Sequence, residues 1–580
     1  MNNDDKYKIT SNDFADLLIE YNDNFDLLSK YGGSSYNIID RRYAIVHFPV
    51  SNMTSNSIYK YGFTSIPTCY GLVSAKTFDS SGINHVRNQQ NVELKGQGVL
   101  VGFVDTGIDY THPAFLNTDN STRIYSIWDQ SLNSDNKYPE NYFYGTEFTR
   151  EQINQAINSE DPFHIVPSID EIGHGTMLAG ITAGSNIPEQ DFTGIVPEAE
   201  FVIVKLKRAK PYLLNFYSIR PDAIAFQEND IMMGVKYLLE VSARLQRPIA
   251  ICIGVGSSNG DHSGRSMMSS YLSYISDRTG TTVVIAAGNE GNRGHHYYGE
   301  VLPSEEYDIV ELTVGNNESG FTMELLGIPP SQLWVNMFAP TGEFVARIPP
   351  NLNKTRQLFY SNTIIWVDSR GMEALSNDQI ILLRFRNPIP GNWRFVVYGQ
   401  SDIIARYHIW LPITGFITDG TVFIEPNNYT TVTSPGNANR PIVVTAYDHI
   451  NNQLYINASR GYTILNDPVP DIAAPGVNIL CPIPNNSYTR GTGTSLAAAH
   501  TTGVAAMLLE WGIVENNLTI MNGLQVKKIL IEGATRSPEL TYPNPDWGYG
   551  KLNISATYDI LKEASTNILE FCSFTHSYLQ

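Results

Sequence analysis

Short apolar runs closed by Gly, Asp or Asn recur between residues 99 and 290, with helical patterns between them. The runs at 99–104, 201–206, 249–254 and 282–287 show no polar alternation, as in strands buried on both faces. Helical spacing occupies 231–245 and 267–276. This strand–helix alternation predicts an α/β fold built on a parallel sheet. Before it, Phe14, Leu17, Leu18, Tyr21, Phe25, Leu27 and Leu28 predict an amphipathic helix over 13–31. Two β-rich runs, 36–39 and 43–50, follow it, and a weaker one at 66–72 is an edge strand at best because of Pro67.

From about 298 to 429 the texture changes. Short runs at 321–325, 333–338, 344–348, 364–368, 379–385, 393–398 and 406–410 alternate with Gly, Pro and Asn, predicting an inserted antiparallel β-sandwich of jelly-roll type. The α/β texture returns at 441–446. An apolar helix over 496–511, helices near 526–532 and 556–561, and a β-prone tail to Gln580 complete the chain. The expected units are 1–70, 71–298, 299–431 and 432–580.

The chain has 580 residues and a formal charge of −19, which disfavours nucleic acid and anionic membrane as partners. Its four cysteines, Cys69, Cys252, Cys481 and Cys572, are widely spaced and form no CxxC pair, so zinc and redox motifs are absent. No dense Asp/Asn/Glu loop marks a calcium site, and no metal or cofactor is assigned. The polar start Met1-Asn2-Asn3-Asp4-Asp5-Lys6 has no signal-peptide pattern, and no run reaches the ~18 apolar residues of a membrane span. The expectation is synthesis in the cytoplasm without membrane insertion.

Four glycine-flanked motifs carry the chemistry. Val104-Asp105-Thr106-Gly107-Ile108-Asp109 closes a buried strand, where ligands of parallel sheets sit. Gly173-His174-Gly175-Thr176 places an imidazole before a small-residue helix, and Ala286-Ala287-Gly288-Asn289 ends a second strand on an amide. Gly491-Thr492-Gly493-Thr494-Ser495 is a tight turn into an apolar helix, a setting that favours negative charge at the serine.

The order Asp105, His174, Ser495, with Asn289 between the last two, resembles the subtilisin-type serine proteases. The resemblance implies that Ser495 is the nucleophile, His174 its general base, and Asp105 the group that fixes the imidazole tautomer. Asn289 and the Ser495 N–H would bind the oxyanion. Ile253, Gly254, Val255 and Gly256 would pair with an extended substrate and form one wall of its pocket, with Ala286, Ala287 and Gly288 as the other. It also implies that the first ~70 residues are a propeptide, cleaved by the enzyme itself within Thr68, Cys69, Tyr70 and Gly71.

Within the subtilases, the missing signal, the β insertion and Gly107-Ile108-Asp109-Tyr110-Thr111-His112-Pro113 resemble the Csp germination proteases of clostridial spores. That implies a retained propeptide, a protein substrate that is a cortex-lytic zymogen, and a spore-associated enzyme. A general degradative subtilase and a non-catalytic germination sensor with an occluded triad are the alternatives.

Overall fold

The computed structural model describes residues 3–31, 35–73, 94–134, 137–372, 377–400 and 403–566. Its centre is a nine-stranded sheet. Strands Ile442–Asp448, Thr281–Ala286, Ile249–Ile253, Leu100–Asp105, Glu200–Lys205 and Ile124–Asp129 lie side by side in that order, all parallel. Leu100–Asp105 and Thr281–Ala286 are buried at every position, as their uninterrupted apolar runs require. Helix Thr494–Leu509 crosses one face, packing on the strands and on helix His174–Ala183. Residues 494–514 are long and apolar enough to cross a membrane, contrary to the reading of the sequence, but that stretch is 89% buried in the protein core. Helix Met267–Ser276 occupies the predicted residues.

Residues 296–423 form two antiparallel sheets, one of six strands and one of five. Their inward side chains, among them Phe321, Ile365, Phe385, Trp393 and Tyr407, make one core. Strands Tyr307–Val314 and Arg356–Tyr360 were not legible as strands because exposed positions break up their apolar pattern, and His296–Val301 was not because His, Gly and Glu leave it no apolar alternation.

The N-terminal unit departs from expectation. The predicted helix over 13–31 is strand Phe14–Glu20 followed by the short helix Phe25–Lys30. The strand is buried on both faces, which hides its period of two: Leu17 and Ile19 face the unit's own core, and Leu18 faces the central sheet. It pairs with Tyr43–Pro49, which also pairs with Tyr36–Ile38. Strand Cys69–Leu72 is not an edge. It lies between Phe226–Gln227 and Val255–Gly256, antiparallel to both, with Pro67 just outside it. Cys69, Cys252 and Cys481 are free and buried. Cys572, and the predicted β-prone tail beyond residue 566, lie outside the described residues.

One cavity lies where the N-terminal unit, the central sheet's loops and the two-sheet segment meet, and Glu228 and Glu324 both line it. Glu228 accepts from the Thr68 and Met268 N–H groups, and Glu324 from Gly260 N–H and Asn259 Nδ2. Burial pushes both carboxyls up to about 7, against the pull of those donors. Stability from the neutral forms is full below the unfolded value of 4.5 and is lost as pH rises through about 7. The loss is on the order of 3 kcal/mol per group. Glu324→Gln will therefore narrow the difference in melting temperature between pH 5.5 and pH 8, measured by thermal melts of both proteins.

Candidate active site

Asp105 ends its strand and His174 begins its helix, and backbone bonds lock the two together. Gly175 N–H donates to Thr106 Oγ1 at 2.9 Å. A Cβ on Gly175 would lie 2.1 Å from the Gly107 carbonyl oxygen, so only glycine permits this approach. Asp170 fixes the helix start, accepting from Gly173 N–H at 2.8 Å and from Thr176 N–H at 3.0 Å. Sequence reasoning missed Asp170; its signal was an acidic residue shortly before a helix start.

These contacts aim the imidazole. His174 Nδ1 lies 2.8 Å from Asp105 Oδ1, and Nε2 lies 3.1 Å from Ser495 Oγ. All three residues are buried. Burial alone lowers the basicity of His174, but the charge and hydrogen bond of Asp105, aided by Asp170, outweigh it and leave the pKa above 6.5. Ser495 is the second residue of its helix, beside N–H groups that have no intrahelical partner. The geometry can activate a hydroxyl by removing its proton and can return that proton to a leaving group.

Asn289 is held through its carbonyl. Oδ1 accepts from Thr494 N–H and Thr494 Oγ1, both at 3.1 Å, while the buried Nδ2 has no partner among the described residues. A free donor beside the serine is what a developing oxyanion requires. Thr494 was not singled out by sequence; it also accepts from Gly288 N–H at 3.1 Å.

The predicted substrate-binding edge is occupied by the chain itself. Gly256 pairs with Gly71 and Val255 with Leu72, and Val73 N–H donates to the Gly254 carbonyl at 3.1 Å. Gly254 sits against the triad: a Cβ there would lie 3.0 Å from His174 Cε1. Ile253 is the buried end of its strand and serves the core. Val73 shares a small pocket with Asn289, Glu290, Arg293, Ile413 and Thr433. The backbones of Ala286, Ala287 and Gly288, the expected second wall, are held by Val444, Thr433 and Thr494. Of the tetrapeptide Thr68, Cys69, Tyr70 and Gly71, expected at the point of cleavage, the last three lie in the strand on this edge, and Val73 follows the strand onto Gly254. Residues 74–93 lie outside the described residues.

Among the described residues no group of three or more His, Cys, Asp or Glu side chains is placed to hold a metal ion.

A parallel sheet carrying Asp105, His174 and Ser495 in hydrogen-bonded sequence defines a class, and comparison with known proteins agrees: the subtilase family profile matches residues 96–316 and 418–551, and the chain belongs to that family. It is similar to the solved CspB protease of Clostridium perfringens, 31% identical with a TM-score of 0.72, over 82% of this chain and 95% of that one. It is also 24% identical over 490 residues to a C5a peptidase of Streptococcus pyogenes serotype M3, covering 79% of this chain and 39% of that one. A PII-type proteinase of Lactococcus lactis subsp. cremoris is 23% identical over 517 residues, covering 80% and 25%. The chain thus spans about two fifths or less of the length of these curated relatives.

Proposed function

We propose that the protein is a serine endopeptidase that cleaves its own chain after Val73 and keeps residues 1–73 as a bound propeptide. The observation that carries this is the seating of Cys69–Leu72 and Val73 on the edge of Val255–Gly256, ending beside an aligned triad. An extended segment added to a strand edge is how such a cleft would hold a substrate, and here the substrate is tethered. In this reading His174 takes the Ser495 proton as Oγ attacks the carbonyl carbon of Val73. Asn289 Nδ2 and the Ser495 N–H receive the oxyanion, and His174 returns the proton to the departing amine; a water, giving its proton to His174, then hydrolyses the Val73–Ser495 ester and His174 returns that proton to Oγ. The free Nδ2 and the aligned triad favour a working enzyme over a sensor.

The test is intact mass and fluorophosphonate labelling of the purified protein. Two fragments dividing after Val73, with label on Ser495, are expected. A full-length, unlabelled chain would overturn the proposal. The resemblance to Csp proteases extends it: the substrate in trans is a cortex-lytic zymogen of spore germination, and the enzyme is spore-associated.

Retention of the propeptide rests on a buried ion pair. Asp16 Oδ1 accepts from Lys210 Nζ at 2.9 Å and His47 Nδ1 at 2.8 Å, and its Oδ2 accepts from Gln227 Nε2 at 2.7 Å. Burial works to raise the Asp16 pKa, but Lys210 and His47 outweigh it and hold it well below 3.8. A depressed carboxylate contributes fully above its unfolded value and is lost only as pH falls through the folded one, so mild acid will not free the fragment. Lys210→Met leaves Asp16 buried without its cation, a loss of about 3–5 kcal/mol. On gel filtration at neutral pH the variant's two fragments will separate, whereas those of the parent will co-elute even at pH 5.

A further inference from the structure

The strand in the cleft is covered as well as paired. Ile413 and Phe416 lie over Gly71, on the turn that follows strand Ala405–Trp410 of the two-sheet segment. A Cβ at Gly71 would come within 2.6 Å of Ile413 Cδ1 and 3.0 Å of Phe416 Cε1. On the other side, the register places Gly71 opposite Gly256, where a Cβ would lie 2.4 Å from Thr433 Oγ1. The residue two before Val73 is therefore held in a slot with glycine on the strand facing it.

The roof has little freedom to lift. Ile413 and Phe416 are 3% and 2% exposed and pack in one apolar cluster with Ile58, Cys69, Leu213 and Leu382. Phe416 N–H donates to the Ile413 carbonyl at 3.1 Å, closing the turn. Thr414 N–H donates at 3.0 Å to Glu290 Oε1, on the residue after Asn289. His295 Nδ1 lies 2.6 Å from the other Glu290 oxygen. Burial works to raise the pKa of Glu290, but His295 and Thr414 keep it below its ordinary value, so the carboxylate stays charged and bonded. Residues 413–416 fall between the two stretches that match the subtilase profile.

We propose that Ile413 and Phe416 make the cleft select substrates with glycine two positions before the residue whose carbonyl is attacked. This rests on the protease reading above. Accepted substrates are extended polypeptide segments of the pattern glycine–any–any–scissile bond. A side chain at the first position must displace a buried aromatic and a buried isoleucine, and overpacking of this kind resists binding.

Two arms test it. Self-cleavage is followed by intact mass in Gly71→Ala and in the double variant Gly71→Ala/Ile413→Ala. Alanine at 71 is expected to slow cleavage about ten- to a hundredfold, and shortening Ile413 to recover most of that loss. In trans, octapeptides ending Tyr-Gly-Leu-Val or Tyr-Ala-Leu-Val compete with fluorophosphonate for Ser495 in Lys210→Met enzyme freed of residues 1–73 by gel filtration, and the glycine peptide should protect at least about tenfold better. Equal protection, or cleavage of Gly71→Ala at the parent rate, overturns the proposal. The peptide arm decides it if the variants do not fold. If the parent neither cleaves itself nor labels, the protease reading fails instead. The slot is then read by melting the Ser495→Ala chain: Gly71→Ala should lower the melting temperature and Ile413→Ala restore part of it, and no difference overturns the slot as well.

Discussion

Replacing Ser495 by alanine will leave the chain at full length, with no fluorophosphonate label and an unchanged melting temperature. In subtilisin, loss of the nucleophile costs about 10⁶ in turnover, and the same loss is expected here because the hydroxyl is the attacking group. The change removes one buried oxygen at a position with 0% exposure, so the helix beginning at Thr494 keeps its packing. Among the described residues, Ser495 Oγ bonds His174 Nε2. The melting temperature separates this result from misfolding, since a misfolded chain would also stay full length but would melt early.

Asp105→Asn is expected to slow self-cleavage by about 10⁴-fold, the loss seen when the aspartate of such a triad becomes an amide. The amide presents an N–H where the carboxylate accepts the Nδ1 proton at 2.8 Å, so it favours the tautomer that leaves Nε2 protonated against the serine. The pH profile should move as well. The base must be neutral to act, so the parent rate rises as pH climbs through the His174 pKa, which Asp105 holds above 6.5. Without that carboxylate, burial dominates and the pKa falls. The variant should be slow yet keep its residual rate to lower pH than the parent. Rates of fragment appearance between pH 5 and 9 will show both effects, and an acid limb that stays in place would argue that another group is the base.

The parts of the molecule visible in the sequence share one property: their signal is local. Asp105, His174, Asn289 and Ser495 each stand among glycines at the end of a strand or the start of a helix, where neighbouring residues alone report the setting. The fully buried strands of the central sheet were legible because both faces meet apolar layers. What escaped depends on residues distant in the chain. Strand Phe14–Glu20 was taken for a helix because one face serves its own unit and the other serves the central sheet. The seating of 69–72 on the edge of Val255–Gly256 was not legible either, because chain length carries no register; only the pairing of Gly71 with Gly256 sets it. Nothing near Ile413 and Phe416 in the sequence shows that Gly71 lies beneath them.

Glu290 also has a bearing on how such a molecule could arise and be rebuilt. One carboxylate binds His295, where the chain enters the two antiparallel sheets, and Thr414, where it turns after strand Ala405–Trp410. Two distant points of a long excursion are thus tied together beside Asn289. An exchange of this cassette between homologous enzymes must carry the knot with it. A graft that keeps the sheets but changes residue 290, 295 or 414 would leave the excursion free to swing and the oxyanion amide without its neighbour's anchor.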